Sequence, residues 1–151
     1  MKLLRNFAAI VFVVAVCASL SLADEPGRHP AYLHALSDLR DARAHLDRLT
    51  PSDRQDDEEA RAIAAIDRAI GEIKKAAIDD EKDIHDHVPV DAHLDRKGRY
   101  HKALELLDKA HNDVAREEDN AFAHGLRGRA IHHIDEAHRI VDRLIIQASR
   151  D

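Results

Sequence analysis

Tryptophan is absent from this 151-residue chain, cysteine and methionine occur once each, and aromatic residues make up 3% of it. The one Met is the first residue, and Cys17 sits in an apolar leader expected to be removed, so the chain beyond it has neither thiol nor thioether. That excludes disulfides, thiolate zinc sites, covalent haem attachment, a cysteine nucleophile and soft capture of Cu(I). So few aromatic rings also argue against a stacked flavin or a peptide-binding pocket. Only five glycines occur, and no Gly-x-Ser-x-Gly, phosphate-binding loop, His-Glu-x-x-His or dinucleotide fingerprint is present. No nucleophile or acid–base pair stands out, and the length allows no more than one ordinary domain.

The one long apolar run, Phe7 to Leu22, follows Lys2 and Arg5 and ends Ser21-Leu22-Ala23. Small residues at −3 and −1 suit a signal peptidase, so residues 1–23 read as a signal peptide and the mature chain as periplasmic or secreted, with no stable membrane span. An uncleaved anchor is the rival reading; a lipoprotein through Cys17 is disfavoured by Val16 before it. The leader takes two of the 23 basic residues and none of the 29 acids, leaving 21 against 29 and a formal charge of −8. No Lys/Arg block with interleaved aromatics remains, which argues against nucleic-acid binding.

What the chain does have is helical periodicity, twice over. Tyr32, Ala35, Leu36, Leu39, Ala42, Leu46 and Leu49 recur at three and four residues, as do Ile63, Ile66, Ile70, Ile73 and Ala77. A gapless offset of 68 residues lays Tyr32, Leu36, Leu39 and Ala42 on Tyr100, Leu104, Leu107 and Ala110, then Ala62, Ile63, Ile66 and Asp67 on Ala130, Ile131, Ile134 and Asp135. One register held across an intervening turn predicts two tandem copies of a helical hairpin, about 30–83 and 98–148, joined by a linker at 84–97. Ser52 and Asn120, equivalent under the offset, are expected N-caps, and Pro30 suits a first turn. The expected fold is all-α, a four-helix bundle with helices near 30–49, 53–83, 98–118 and 121–148. Up-down-up-down order is the default, although about 14 connecting residues reach up to ~46 Å and can cross the bundle.

The stretches His29-Pro30-Ala31-Tyr32-Leu33, Ser37-Asp38-Leu39-Arg40, Ala62-Ile63 through Asp67, Ile73-Lys74 and Ala76-Ala77-Ile78-Asp79-Asp80 resemble exported bacterial helical-bundle proteins of unassigned function. The resemblance spans nearly the whole mature chain and implies no activity and no site residues.

All 12 histidines follow the leader. Full protonation would carry the formal charge from −8 to +4, so imidazole offers either metal donors or a pH response; on solvated helix faces it does neither. The densest candidate site is the connection, where Asp79, Asp80, Glu81 and Asp83 lead into His85, His87, Asp91, His93 and Asp95. His85-x-His87 can bind Zn²⁺, Ni²⁺ or Cu²⁺ with Asp91 or His93 completing the shell, and the same stretch also reads as a hydrated charged linker. Four acids at the C-terminal end of helix 2 face the negative end of its dipole, which invites a cation, whether a metal or Lys74, Lys75 and Lys82.

Heptad positions place His124 and His138 on the core stripe of the fourth helix, with His111 beside the core of the third. Depth counted from a turn near Asp119 pairs His138 with His101 and His111 with His124, about 15 Å apart at ~1.5 Å per residue, so His111 and His138 are not expected to share an ion. His101 and His138 form the second candidate metal location, although a core His bonded to Tyr or Asp is the commoner case. Asp108-x-x-His111 and Asp135-x-x-His138 lack the Glu ligands of di-iron bundles, and Asp108 falls on an outward position. Asp67 and Asp135 are expected to take a Tyr or Arg partner in each copy. The function that fits is non-enzymatic binding or buffering of a divalent transition metal. The alternative is a structural or stress-linked protein of the cell envelope that meets a protein partner as pH falls, and a helical enzyme comes third.

Overall fold

In the computed structural model the described residues are 30–48, 57–76, 85, 87–91, 93–116 and 124–150. They form four helices, α1 (Pro30–Asp47), α2 (Asp57–Lys75), α3 (Arg96–Arg116) and α4 (His124–Gln147), with no strand among them. Each helix buries the stripe its sequence spacing marks out: Leu36, Leu39 and Leu46 on α1, Ile66 and Ile73 on α2, Leu107 and Val114 on α3, Ile134 and Leu144 on α4. Between these lie Ala35, Ala42, Ala62, Ala69, Ala103, Ala110 and Ala137, all without accessible surface. Their small side chains let the helix backbones close on a thin core, where missing volume is replaced by proximity.

The default order does not hold. α1 packs against α2 and α3, and α4 packs against the same two; α1 and α4, like α2 and α3, stand diagonally opposite. Glu58, Arg68 and Glu72 of α2 reach Arg143, Glu136 and Arg129 of α4, so these helices are antiparallel. Asp108 and His111 meet His138 and Asp135, so α3 and α4 are antiparallel too. Glu59 near the start of α2 meets Arg96 and Tyr100 at the start of α3, which puts both starts at one end of the bundle. The chain must therefore return along the whole of α2, ~28 Å at 1.5 Å per residue, before α3 begins.

Of that connection the described residues, 85, 87–91 and 93–95, lie over α1 as a strap. Asp41 accepts the Val88 amide at 3.0 Å, and the Arg48 guanidinium donates to the Asp91 carbonyl at 2.6 Å and the Val90 carbonyl at 3.4 Å. α3 then starts on Asp95, whose carboxylate accepts the Gly98 amide at 2.6 Å in an N-cap. A Cβ at Gly98 would stand 3.0 Å from that oxygen and 3.2 Å from Leu94, so the absence of a side chain lets the cap close. Ser52, Asn120 and the acids at 79–83 lie outside the described residues.

No helix among the described residues is long and apolar enough to cross a membrane.

Candidate functional site

The strap carries the first group of expected ligands, all exposed. Its packing separates them. His85 Nδ1 lies 3.4 Å from the Arg43 guanidinium, and His85 and His87 line a groove of about 300 Å³ with Arg43, Asp47 and Arg48. His87 Nδ1 is 2.7 Å from the Val88 carbonyl, which can only accept; the proton therefore sits on Nδ1 and the lone pair of Nε2 is left outward. The Asp91 carboxylate turns back to accept the His93 amide at 2.9 Å. In this arrangement no three of His85, His87, Asp91 and His93 bring their donor atoms within 4.8 Å of one another.

One group among the described residues does converge. The ligand atoms of His132, His133 and Glu136 all lie within 4.8 Å of each other on α4. The helix provides this directly: His132 and Glu136 are four residues apart and His133 and Glu136 three, the two spacings that put side chains on one face. The rings of His132 and His133 meet edge to face at 5.5 Å between centroids. Two imidazoles and one carboxylate form a three-ligand set of the kind that holds Zn²⁺ with a fourth position open.

A neighbouring cation already occupies part of this face. Arg68 of α2 donates to Glu136 at 3.0 Å and to His133 Nδ1 at 3.5 Å. Its guanidinium is the main reason the Glu136 carboxyl lies below the usual range, and His133 adds to it. Glu136 is thus a carboxylate at neutral pH, as a metal ligand must be, but any ion arriving there competes with Arg68. Arg68 is 46% exposed and has solvent to withdraw into.

The second expected location is rearranged. His101 is exposed, and His138 pairs with Asp108 at 3.1 Å, while His111 pairs with Asp135 at 3.5 Å. Asp108, His111, Asp135 and His138 line one groove of about 220 Å³, floored by Leu107 and Ile134, and His101 is not part of it. The expected 15 Å separation of His111 and His138 is therefore wrong. His138 stands opposite Asp108 rather than Tyr100, eight residues further along α3, or about 12 Å. Apolar spacing defines which face of each helix is buried, but it leaves the slide of one antiparallel helix along the other undetermined. The side chain of His124 lies outside the described residues.

Asp67 takes the Arg partner expected of it, Arg43 at 2.9 Å between α1 and α2. Asp135, its equivalent, takes His111 instead, and Tyr100 turns to Glu59, which the sequence reading did not single out. His132-His133-x-x-Glu136 was also missed, although its helical spacing is plain in the sequence; it lies off the core stripe and outside the histidine-dense connection.

No protein-family model, no curated protein and no solved structure matches this chain.

Proposed function

We propose that this is an exported, non-enzymatic bundle that binds or buffers a divalent transition metal, Zn²⁺, Ni²⁺ or Cu²⁺, through imidazole and carboxylate donors. The observation that carries the reading is the convergence of His132, His133 and Glu136. His85, His87 and His93, with Asp91, form a second donor group that a change in the strap would have to gather; the outward Nε2 of His87 favours it. Export rests on the leader at 1–23, and the two hairpins are read as a duplication. Supporting that, Tyr32 and Tyr100, Leu39 and Leu107, Ala62 and Ala130, and Ile66 and Ile134 are buried at both members of each pair 68 residues apart.

Arg68 makes the test sharp. Titration calorimetry with Zn²⁺, Ni²⁺ and Cu²⁺ should show one binding event that disappears in His132→Gln/His133→Gln and strengthens, roughly tenfold or more, in Arg68→Gln, because a unit charge leaves the neighbourhood of the ligands. A purely structural Arg68–Glu136 pair predicts metal uptake that neither change alters. A parallel His85→Ala/His87→Ala/His93→Ala variant reports on the strap. Should all of these melt identically with and without metal, the envelope reading takes precedence, with a protein partner whose binding changes between about pH 7 and 5.5; the exposed positions of His34, His85, His87, His93, His101 and His132 suit it.

A further inference from the structure

The groove between α3 and α4 holds a more symmetric donor set than either location above. Asp108 and His111 are three residues apart and share one face of α3; Asp135 and His138 do the same on α4. Because the helices are antiparallel, each imidazole meets the carboxylate of the opposite helix, His138 Nε2 to Asp108 Oδ1 at 3.1 Å and His111 Nε2 to Asp135 Oδ1 at 3.5 Å. We propose that Asp108, His111, Asp135 and His138 form a second divalent transition-metal site, separate from His132, His133 and Glu136, that ties α3 to α4. The proposal rests on the metal-binding reading for the class of ion and on its own geometry for the site.

Four features support it. Two carboxylates and two neutral imidazoles balance the charge of a divalent cation with the borderline donors that Zn²⁺, Co²⁺ and Ni²⁺ accept. With metal–ligand bonds of about 2.0–2.1 Å, neighbouring donors of a tetrahedral ion stand about 3.3 Å apart, and the two cross-helix separations fall on either side of that value; no three of the four donors lie within 4.8 Å of one another, so an ion would have to draw the two pairs together. The floor of the groove is Leu107 and Ile134, both buried, so an ion there is shielded from water on one side. Among the described residues neither His–Asp pair is shared with a guanidinium or ammonium group, in contrast to Glu136 and Arg68.

The first hairpin shows what these positions hold where only structure is served. Counting back 68 residues from Asp108, His111, Asp135 and His138 gives Arg40, Arg43, Asp67 and Ile70. There Arg43 and Asp67 make a 2.9 Å ion pair, and Arg40 and Ile70 are buried. In the second hairpin both arginines and the isoleucine are replaced by groups able to ligate. A helix–helix ion pair alone needs no such change, since the arginine version serves α1 and α2.

The test uses Co²⁺, whose visible ligand-field absorption is strong in tetrahedral sites and weak in octahedral ones. The purified protein and its His132→Gln/His133→Gln variant are titrated, then each is combined with His111→Gln/His138→Gln. The expected result is one Co²⁺ with tetrahedral absorption retained in His132→Gln/His133→Gln, and a fall in Co²⁺ affinity of roughly tenfold or more when His111 and His138 are also changed. Asp108→Asn, which leaves both imidazoles intact, should weaken the same band, and helical circular dichroism confirms that each variant is folded. Co²⁺ bound by the wild type but insensitive to His111, His138 and Asp108 overturns this site and leaves the metal-binding reading standing. A wild type that takes up no Co²⁺, Zn²⁺ or Ni²⁺ overturns both.

Discussion

Glu59 and Tyr100 meet across the diagonal of the bundle, the phenol donating to the carboxylate at 2.5 Å although their helices make no direct backbone approach. Arg96 completes the group, 2.9 Å from Glu59 and bonded to the Tyr100 oxygen at 2.6 Å. Burial, then the Glu59 contact, pushes the Tyr100 phenol well above its ordinary range, and the bond to Glu59 holds the Arg96 guanidinium charged. Glu59 is 2% exposed, and these two side chains meet its carboxylate inside the bundle. Tyr100→Phe removes two hydrogen bonds, the one donated to Glu59 and the one accepted from Arg96, and leaves the ion pair; it should cost about 1–2 kcal/mol. Arg96→Ala takes a cation away from a buried carboxylate and should cost more, about 3 kcal/mol. Urea melts of the two variants check the order; equal losses would mean the carboxylate is stabilised in some other way.

His45 is expected to make the fold sensitive to acid. It is 8% exposed beneath the strap, lining a cavity of about 470 Å³ with Asp41, Leu94, Lys102 and Leu106, and its Nδ1 has no hydrogen-bond partner. Burial pushes its pKa down; Lys102, Arg99 and His87 push the same way, and Asp41 opposes them. The unfolded chain therefore binds this proton more readily than the folded one. Its contribution to stability is full above the unfolded value, about 6.5, and is lost as pH falls through that value toward the lowered folded one. Melting temperatures between pH 7.5 and 5 should fall less steeply in His45→Phe than in the wild type. Parallel slopes would show that the buried imidazole is not the sensor.

The strap is held chiefly by polar bonds to α1, and Arg48 makes two of them to backbone carbonyls. Arg48→Ala should raise amide exchange and protease cleavage around 88–91 while lowering global stability by only about 1 kcal/mol. Loss of the whole cooperative transition in this variant would mean the strap is part of the core.

The alanine seam sets a size limit. Ala110 and Ala42 have no accessible surface, so Ala110→Leu must push helices apart and should cost about 1–3 kcal/mol. Glu72→Ala, by contrast, breaks the exposed-face pairs to Arg129 and Lys75 and should cost less than about 1 kcal/mol, shrinking further in salt. Calorimetric melts at low and high ionic strength separate the two; a larger effect at Glu72 than at Ala110 would contradict the packing described.

Helix positions and buried faces were legible because Leu36, Leu39, Ile66, Ile70, Leu107 and Ile134 repeat at helical spacing, and burial follows that repeat. Helix order was not, since the same stripes serve either arrangement and the deciding contacts, Asp41 to Val88 and Arg48 to Asp91, join residues more than forty positions apart. The site followed the same division. Local spacing brings His132, His133 and Glu136 together on one helix, whereas the meeting of Asp108 with His138 depends on how far α4 slides along α3.

The strap also governs how the chain reaches this state. Its first helix finds its widest interface on the third and its second on the fourth, so the leading hairpin is completed only after most of the sequence is present. Loop closure over such distances slows folding relative to a bundle of sequential neighbours. At high concentration, two molecules can satisfy the same interfaces by exchanging hairpins through the connection, giving an intertwined dimer without any new surface chemistry.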